Sequence, residues 1–563
     1  MRYSWKEDGR NLAVLILLAV VIFGFGLGSF GLLDPDEPFY SLTAKEMLLR
    51  HDWSTPVIFG HPQFEKPIFF YWVVYLCFKL FGVTELASRI GPFSAGLVTV
   101  VITYLWGVVL FKKRQIALVS SAVLATATEF FIVSKIVLTD VYLCLFVTAA
   151  LFFFSLGYEN SSIRKRAWFF IFVSCAFGFL TKGPIAVIFP WMAISAFFIF
   201  NHETRLFKQF PWMPGAAAFI VIGCSWYVLM TMRYGTYFLQ HFFIHENARR
   251  FFFAEHPRND KVYFYPAALV VGFFPWSAFV LGAIFYATKR VIKKDGGRFL
   301  KPFVLLFFSL ALPFIFLNAA KSKLLSYILP VFPALALLIG AWMFRVCRAL
   351  KMGALAKTSL KVLSVIFFAA LPAALVIGGG VYGYISELNV LTPLLLIGSL
   401  LILPFWYALF EAFRRNYTRA FLIVLVSITI SSGFVFSWLL PSVQEMVSSK
   451  DEAALYNSAV TPGKINLILA SKMYVRGASY YTGNGNVAVL TDSPNGPFYT
   501  KHDIPLIWSP EKLAEVDKNM FPVYCFIKTK DLDLLKNVTD HKFSITPLRE
   551  NAHRTLVRLD LAV

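Results

Sequence analysis

Apolar runs of about twenty residues recur from Asn11 to about Leu440, and they limit the fold more than any other feature of the chain. At 1.5 Å per residue, such a run crosses about 30 Å of hydrocarbon as a helix. With 58% hydrophobic and only 15% charged residues, the chain lies far from the composition of a soluble domain. The runs predict an α-helical polytopic membrane protein with about thirteen transmembrane helices. Their approximate positions are 11–33, 90–111, 115–132, 138–157, 166–182, 184–201, 213–231, 262–287, 300–318, 323–346, 361–384, 391–412 and 418–440. The first is too long, and too poorly followed by a small-residue cleavage site, for a secretory signal, so it reads as a retained anchor.

The net charge of +21 takes its meaning from where the charges sit. Every second connection is short and basic: Lys112-Lys113-Arg114, Arg164-Lys165-Arg166, Arg205 with Lys208, Lys289 to Lys294, Arg345 to Lys357, and Arg414, Arg415 and Arg419. The positive-inside rule places these, and the N-terminus with Arg2, Lys6 and Arg10, in the cytoplasm. The charge is therefore membrane topology rather than a nucleic-acid footprint. The intervening connections face outward, two of them long (34–89 and 232–261), and an odd number of spans puts 441–563 outside as well. In that tail, 464–469, 487–490 and 523–528 read as strands, and the last is followed by a helical Asp531-Leu-Asp-Leu-Leu. The expectation is a transmembrane domain over 1–440 and a small C-terminal α/β soluble domain on the outer face over 441–563. Five of the six cysteines lie in or beside apolar segments and only Cys525 lies in the tail, which rules out a disulfide framework there.

Charged side chains at membrane depth are costly and need a reason. Most of them here fall on the predicted outer side: Asp36 and Glu37 in the first outer loop, Glu65-Lys66 further along it, Asp140 at a span start, Lys182 before Gly183-Pro184, His245, Glu246 and Arg249-Arg250 in the second long loop, and Lys321 and Lys323 before another span. Carboxylates Asp36, Glu65 and Asp140 combined with cations Lys66, Lys182, Arg250 and Lys321 suit transfer from a phosphate-linked donor. The cations would neutralise the departing phosphate, and a carboxylate could take a proton from the acceptor. Each also has a plainer reading. Asp36 can serve a turn, Glu65 and Lys66 can pair at the interface, Asp140 can cap a helix, Lys182 can snorkel, and Arg249 and Arg250 can meet lipid headgroups. Tyr327 can belong to the aromatic belt. His245 and His256 could join Glu65 around a metal, although their spacing matches no recognised zinc motif.

These stretches resemble the GT-C glycosyltransferases related to protein O-mannosyltransferases, and within them the aminoarabinose transferases that modify lipid A. The resemblance rests on Pro35-Asp36-Glu37-Pro-Phe-Tyr40, Phe64-Glu65-Lys66-Pro67, Thr139-Asp140, Leu180-Thr-Lys182-Gly-Pro, Glu246-Asn-Ala-Arg-Arg250-Phe and Lys321-Ser-Lys323-Leu-Leu-Ser-Tyr327-Ile-Leu-Pro330, six motifs in order between the first span and about Ile339. It implies a GT-C catalytic domain that carries out inverting transfer from an undecaprenyl-phosphate sugar. Asp36 is then the leading catalytic carboxylate, with Asp140 and Glu65. Lys66 and Arg250, joined by Lys182 and Lys321, hold the donor phosphate, and Tyr40 and Tyr327, with Glu37 and Lys323, line the cavity. It also implies a multi-pass protein of a bacterial inner membrane, working at the periplasmic face among membrane lipids, with no nucleic-acid partner. Similar proteins place a divalent metal (Zn, or Mg/Mn) near the glutamate matching Glu65 and a histidine; here Asn247 stands at the histidine position, leaving His245 as the nearby substitute.

The competing class is a lipid or solute transporter. Paired halves with interrupted helices and a midplane site would signal one; the charges here crowd one face, and no internal repeat is visible. Within the enzyme class, lipid A, another glycolipid, a polysaccharide and a protein hydroxyl are all compatible acceptors.

Overall fold

Helices occupy the apolar runs in a computed structural model that describes residues 5–254, 257–293, 300–348, 391–461, 463–464, 466–494, 504–539, 543–551 and 553–561. The expected span 361–384 lies outside the described residues. Among the described residues, seven helices are long and apolar enough to cross a membrane, or eight if one bent pair counts as a span. The chain divides into two compact units. One comprises Met1–Leu27, Phe64–Phe70 and Ile90–Val435; the other comprises Gly28–Gln63, Tyr71–Arg89 and Phe436–Val563.

The first unit is the helical bundle. Its first helix, Trp5–Ala19, continues as a π turn over Val20–Gly24 and stops short of the expected residue 33, because Phe25 turns extended and Gly26 takes a positive φ. Two expected spans are broken. The run 115–132 divides into Arg114–Thr126 and Thr128–Val133 at an extended Ala127. The run 262–287 divides into Phe264–Gly272 and Ser277–Ile292, bent by 115°. The second break holds Pro275, which has no N–H to continue a helix. The two breaks satisfy each other. The Thr128 N–H and Oγ1 donate to the Phe274 carbonyl at 3.1 and 2.9 Å, and the Trp276 indole donates to Thr126 Oγ1 at 2.9 Å. Non-helical backbone survives at membrane depth only with such internal partners.

The expected outer loop 232–261 requires a correction, since the chain is helical from Trp212 to Phe252, with π turns at Ile220–Cys224 and Gln240–Arg249 and a kink at Gly235. The reason is aromatic packing past the charged residues. Phe238 sits 5.4 Å from Trp226, ring to ring, and Phe242 sits 5.3 Å from Tyr227, so the apolar face continues where polar composition suggested a loop.

In the second unit, the helix Asp36–Leu49 is buried along Glu37–Ala44 rather than along one stripe. Glu46 from that helix accepts the N–H groups of Phe59 and Gly60 at 2.7 and 2.9 Å. This fixes the hairpin of β1 (Val57–Ile58) and β2 (His61–Pro62). The tail forms a six-stranded sheet of β3 (Ile468–Ser471), β4 (Val487–Leu490), β5 (Leu506–Ile507), β6 (Val523–Lys528), β7 (Phe543–Glu550) and β8 (Arg554–Leu561), in the order β5-β4-β3-β6-β8-β7. Strands β3, β4, β5 and β6 pair in parallel, and β8 joins antiparallel to β6 and β7. Both faces of the central strands are covered: Leu469, Cys525 and Val557 pack into one core, and Ile468, Tyr524 and Leu556 into another. Double coverage explains the unbroken apolar run of β6. The expected strand 464–469 begins only at Ile468, and the terminal hairpin β7–β8 was not anticipated.

Candidate active site

Charged side chains from four sequence-distant segments meet within the helical unit. Asp140 is the first residue of the helix Asp140–Glu159, and Lys182 is the last of Arg164–Lys182. Gly183, at φ 77°, lets the chain reverse directly after Lys182. The Lys182 ammonium donates to the Asp140 carboxylate and stands 4.0 Å from the centre of the Tyr327 ring. Lys182 therefore does not snorkel away from the protein: it is held by an acid and an aromatic face. Thr139, not Asp140, occupies the N-cap position of the helix.

Lys66 lies 3.8 Å from Glu246, and the same Glu246 oxygen receives Arg250 at 2.9 Å across one helical turn. Two cations thus share one carboxylate, and Lys66 also donates to the Glu65 carbonyl at 3.1 Å. Burial, followed by repulsion from Arg250, pushes the Lys66 amine below its ordinary value, while Glu246 and Glu65 pull it back. An anion entering here would strengthen the charged state of Lys66. Lys321 and Lys323 likewise share one acid, Asp260, at 3.2 and 3.1 Å. Their segment is tied to the Arg250 segment by backbone bonds, Lys321 N–H to the Phe251 carbonyl at 3.0 Å and Ser322 N–H to the Arg250 carbonyl at 3.1 Å. The arrangement gathers positive charge around shared carboxylates, which is chemistry suited to a phosphate.

Asp36, Glu37 and Tyr40 belong to the other unit. Asp36 starts its helix and is exposed; the Tyr40 ring is buried 6.2 Å from that of Tyr71. Glu37, expected to line the cavity, accepts two bonds from Arg89, at 2.9 and 2.6 Å, and the Leu33 N–H at 2.8 Å. Arg89 is itself buried, donates to the Phe30 and Gly31 carbonyls at 2.9 Å each, and lies 3.8 Å from the centre of the Phe30 ring. This pair fixes the start of the Asp36 helix and hence the position of Asp36.

The metal expectation meets a poor donor set. Among the described residues, no three His, Cys, Asp or Glu side chains gather closely enough to hold an ion. His245 is exposed with its ring 6.0 Å from that of His241, and the Asn247 amide donates to the Phe242 carbonyl at 2.7 Å. His256 lies outside the described residues. Among the described residues, the donor set does not fit the metal site that the resemblance implies.

Several participants escaped sequence reasoning as site residues: Glu246, Asp260, Arg89, Glu129, whose carboxylate interacts electrostatically with Asp140, and Lys135, which is buried and donates to the Ile22 and Phe25 carbonyls at 2.9 and 2.8 Å. A signal existed for Arg89 and Lys135, since a lone charge in an apolar stretch demands a partner. Glu246 heads one of the six motifs but received no role of its own, and Asp260 sits in a polar stretch where nothing distinguishes it.

The family model described as dolichyl-phosphate-mannose-protein mannosyltransferase matches residues 11–242. An undecaprenyl phosphate-alpha-4-amino-4-deoxy-L-arabinose arabinosyl transferase of Pectobacterium carotovorum subsp. carotovorum is 29% identical over 340 residues, 60% of each chain. A transferase of the same description from Proteus mirabilis is 31% identical over 350 residues, 60% of this chain and 59% of that one. The chain thus spans about 60% of the length of these curated relatives. In three dimensions it matches ArnT from Cupriavidus metallidurans, solved bound to undecaprenyl phosphate, with a TM-score of 0.79 and 20% identity, covering 99% of this chain and 98% of that one. In fold the chain matches ArnT, and over about 60% of its length it is similar in sequence to enzymes described as undecaprenyl phosphate-alpha-4-amino-4-deoxy-L-arabinose arabinosyl transferases.

Proposed function

We propose that this protein is an inverting glycosyltransferase that moves a sugar, aminoarabinose foremost, from undecaprenyl phosphate to lipid A or a related envelope acceptor at the periplasmic face of a bacterial inner membrane. The convergence of Lys66 and Arg250 on one glutamate, beside the Asp140–Lys182–Tyr327 group, carries the proposal. In the reaction the bond from the sugar's anomeric carbon to the phosphate oxygen breaks and its electron pair leaves with undecaprenyl phosphate. An acceptor oxygen attacks the opposite face of the same carbon, which inverts it. Lys66, Arg250 and Lys182 stabilise the charge that develops on the phosphate. Asp36 orients the acceptor, and with a hydroxyl acceptor it also takes the proton; a phosphate acceptor is already ionised and needs no base. The outward site follows from supply: sugar nucleotides are cytoplasmic, so a transferase acting outside needs a donor carried across by lipid. Residues 1–440 act as the catalytic membrane domain and 441–563 as a periplasmic domain. The names of the relatives and the reading of the basic connections support this assignment.

The test is mass spectrometry of envelope lipids and glycans from cells with and without the protein, followed by transfer with purified protein and undecaprenyl-phosphate aminoarabinose. Protein-dependent aminoarabinose on lipid A supports the proposal. An unchanged envelope together with no turnover of the lipid-linked sugar refutes it, and labelling of a protein hydroxyl moves the acceptor to the class named by the matching family model.

A further inference from the structure

The helical unit holds a second feature that transfer chemistry does not use. An apolar cavity of about 560 Å³ is lined by Trp276, Phe279, Trp342, Phe405, Ala408 and Phe421, among others. It abuts a cleft of about 460 Å³ lined by Glu7, Arg10, Lys113 and Arg114, and Gln115, Leu118 and Phe344 belong to the walls of both. In the cleft, Arg114 is taken up by Glu7 at 3.1 Å and by Asp8 at 2.7 Å. Arg10 and Lys113 are exposed, and the Lys113 amine lies 4.9 Å from the centre of the Phe344 ring on the shared wall. Cationic groups therefore stand at the mouth of an apolar groove. This is the complement of an anionic headgroup on an acyl chain.

The cleft is far from the charged cluster around Asp140. The neighbouring Lys112 pairs with Glu159 at 2.9 Å, and Glu159 is the far end of the helix that begins at Asp140. At 1.5 Å per residue, the two ends of that helix are about 28 Å apart. The basic mouth and the transfer site thus sit at opposite ends of one span.

We infer that this groove and cleft form a binding site for an anionic glycerophospholipid, with the phosphate at Arg10 and Lys113 and an acyl chain along Trp276, Trp342 and Phe405. The inference is independent of the proposed transfer reaction.

The test uses the full-length protein in detergent, incubated with equimolar dioleoyl phosphatidylglycerol and dioleoyl phosphatidylcholine and analysed by native mass spectrometry. Wild type is expected to retain phosphatidylglycerol about thirtyfold over phosphatidylcholine, since each of the two cations contributes on the order of 1 kcal/mol toward an anionic lipid. The Arg10→Gln/Lys113→Gln double variant loses that preference, and Ala408→Trp, which fills the groove, loses retention of both lipids. Lys113→Gln alone, expected to lose part of the preference, serves if the double variant does not fold. Equal retention of the two lipids by wild type, or a preference that survives the charge removals, overturns the inference. Undecaprenyl phosphate displacing phosphatidylglycerol one for one would overturn the assignment to a phospholipid.

Discussion

Replacing Arg89 by methionine removes the cation that pairs with Glu37 and keeps the aliphatic bulk. In the native protein the Glu37 side chain is 2% exposed and that of Arg89 is 0% exposed, so water cannot take over the lost bonds. The bonds lost include two to the carboxylate and one each to the Phe30 and Gly31 carbonyls, together with the stack on Phe30. Removing one partner of a buried pair costs roughly 3–5 kcal/mol, most of it the penalty of a stranded charge. For a unit of 150–250 residues, each kcal/mol shifts the melting temperature by about 2–4 °C, so a loss of roughly 10 °C is expected. Scanning fluorimetry of the detergent-solubilised protein at one fixed scan rate reads this shift. Methionine at both positions strands no charge, and Glu37→Met/Arg89→Met should recover much of the loss. Because Asp36 adjoins Glu37, Arg89→Met should also lower kcat more than it raises the donor KM. A melting point equal to wild type, or a double variant less stable than Arg89→Met, would refute the reasoning.

Asp36→Asn should abolish transfer while leaving membrane insertion and melting unchanged; wild-type turnover in a lipid-linked sugar assay would end its catalytic assignment. Lys66→Ala should raise the donor KM by about ten- to a hundredfold with little change for the acceptor, as expected on losing one charge-assisted contact of about 1.5–3 kcal/mol, and an unaltered donor KM would count against the phosphate role. Burial holds Asp34 at about 7 against an ordinary 3.8, even with Arg554 at 3.2 Å and Ser449 Oγ at 2.6 Å. The native state therefore keeps a proton that the unfolded chain releases between about pH 4 and 7. The contribution of Asp34 to stability is fully present below that window and falls as the pH rises through it. Asp34→Asn should flatten this slope in melting curves taken from pH 5 to 8. A chelator such as EDTA should leave turnover within about twofold, given the donor set around Glu65 and Asn247; complete loss restored by added zinc would reveal ligands other than those described.

The linear order of residues was enough to establish a helical membrane bundle followed by an α/β tail, because hydrocarbon tolerates little else and because runs such as Val523–Lys528 carry the composition of a doubly covered strand. It also exposed Asp140, Lys182, Lys66 and Arg250, since charges next to apolar spans stand out against their surroundings. Pairing was decided only in three dimensions. That Lys66 reaches the Glu246–Arg250 pair, that Asp260 serves both Lys321 and Lys323, and that Arg89 takes up the Glu37 carboxylate are facts of convergence between segments far apart in sequence. No local pattern encodes them. The persistence of helix to Phe252 has the same origin, since packing of Phe238 and Phe242 on Trp226 and Tyr227 outweighs a polar local composition that reads as a loop. Sequence periodicity reports what each segment prefers by itself, whereas the partner that satisfies a buried charge depends on which segments the fold brings side by side.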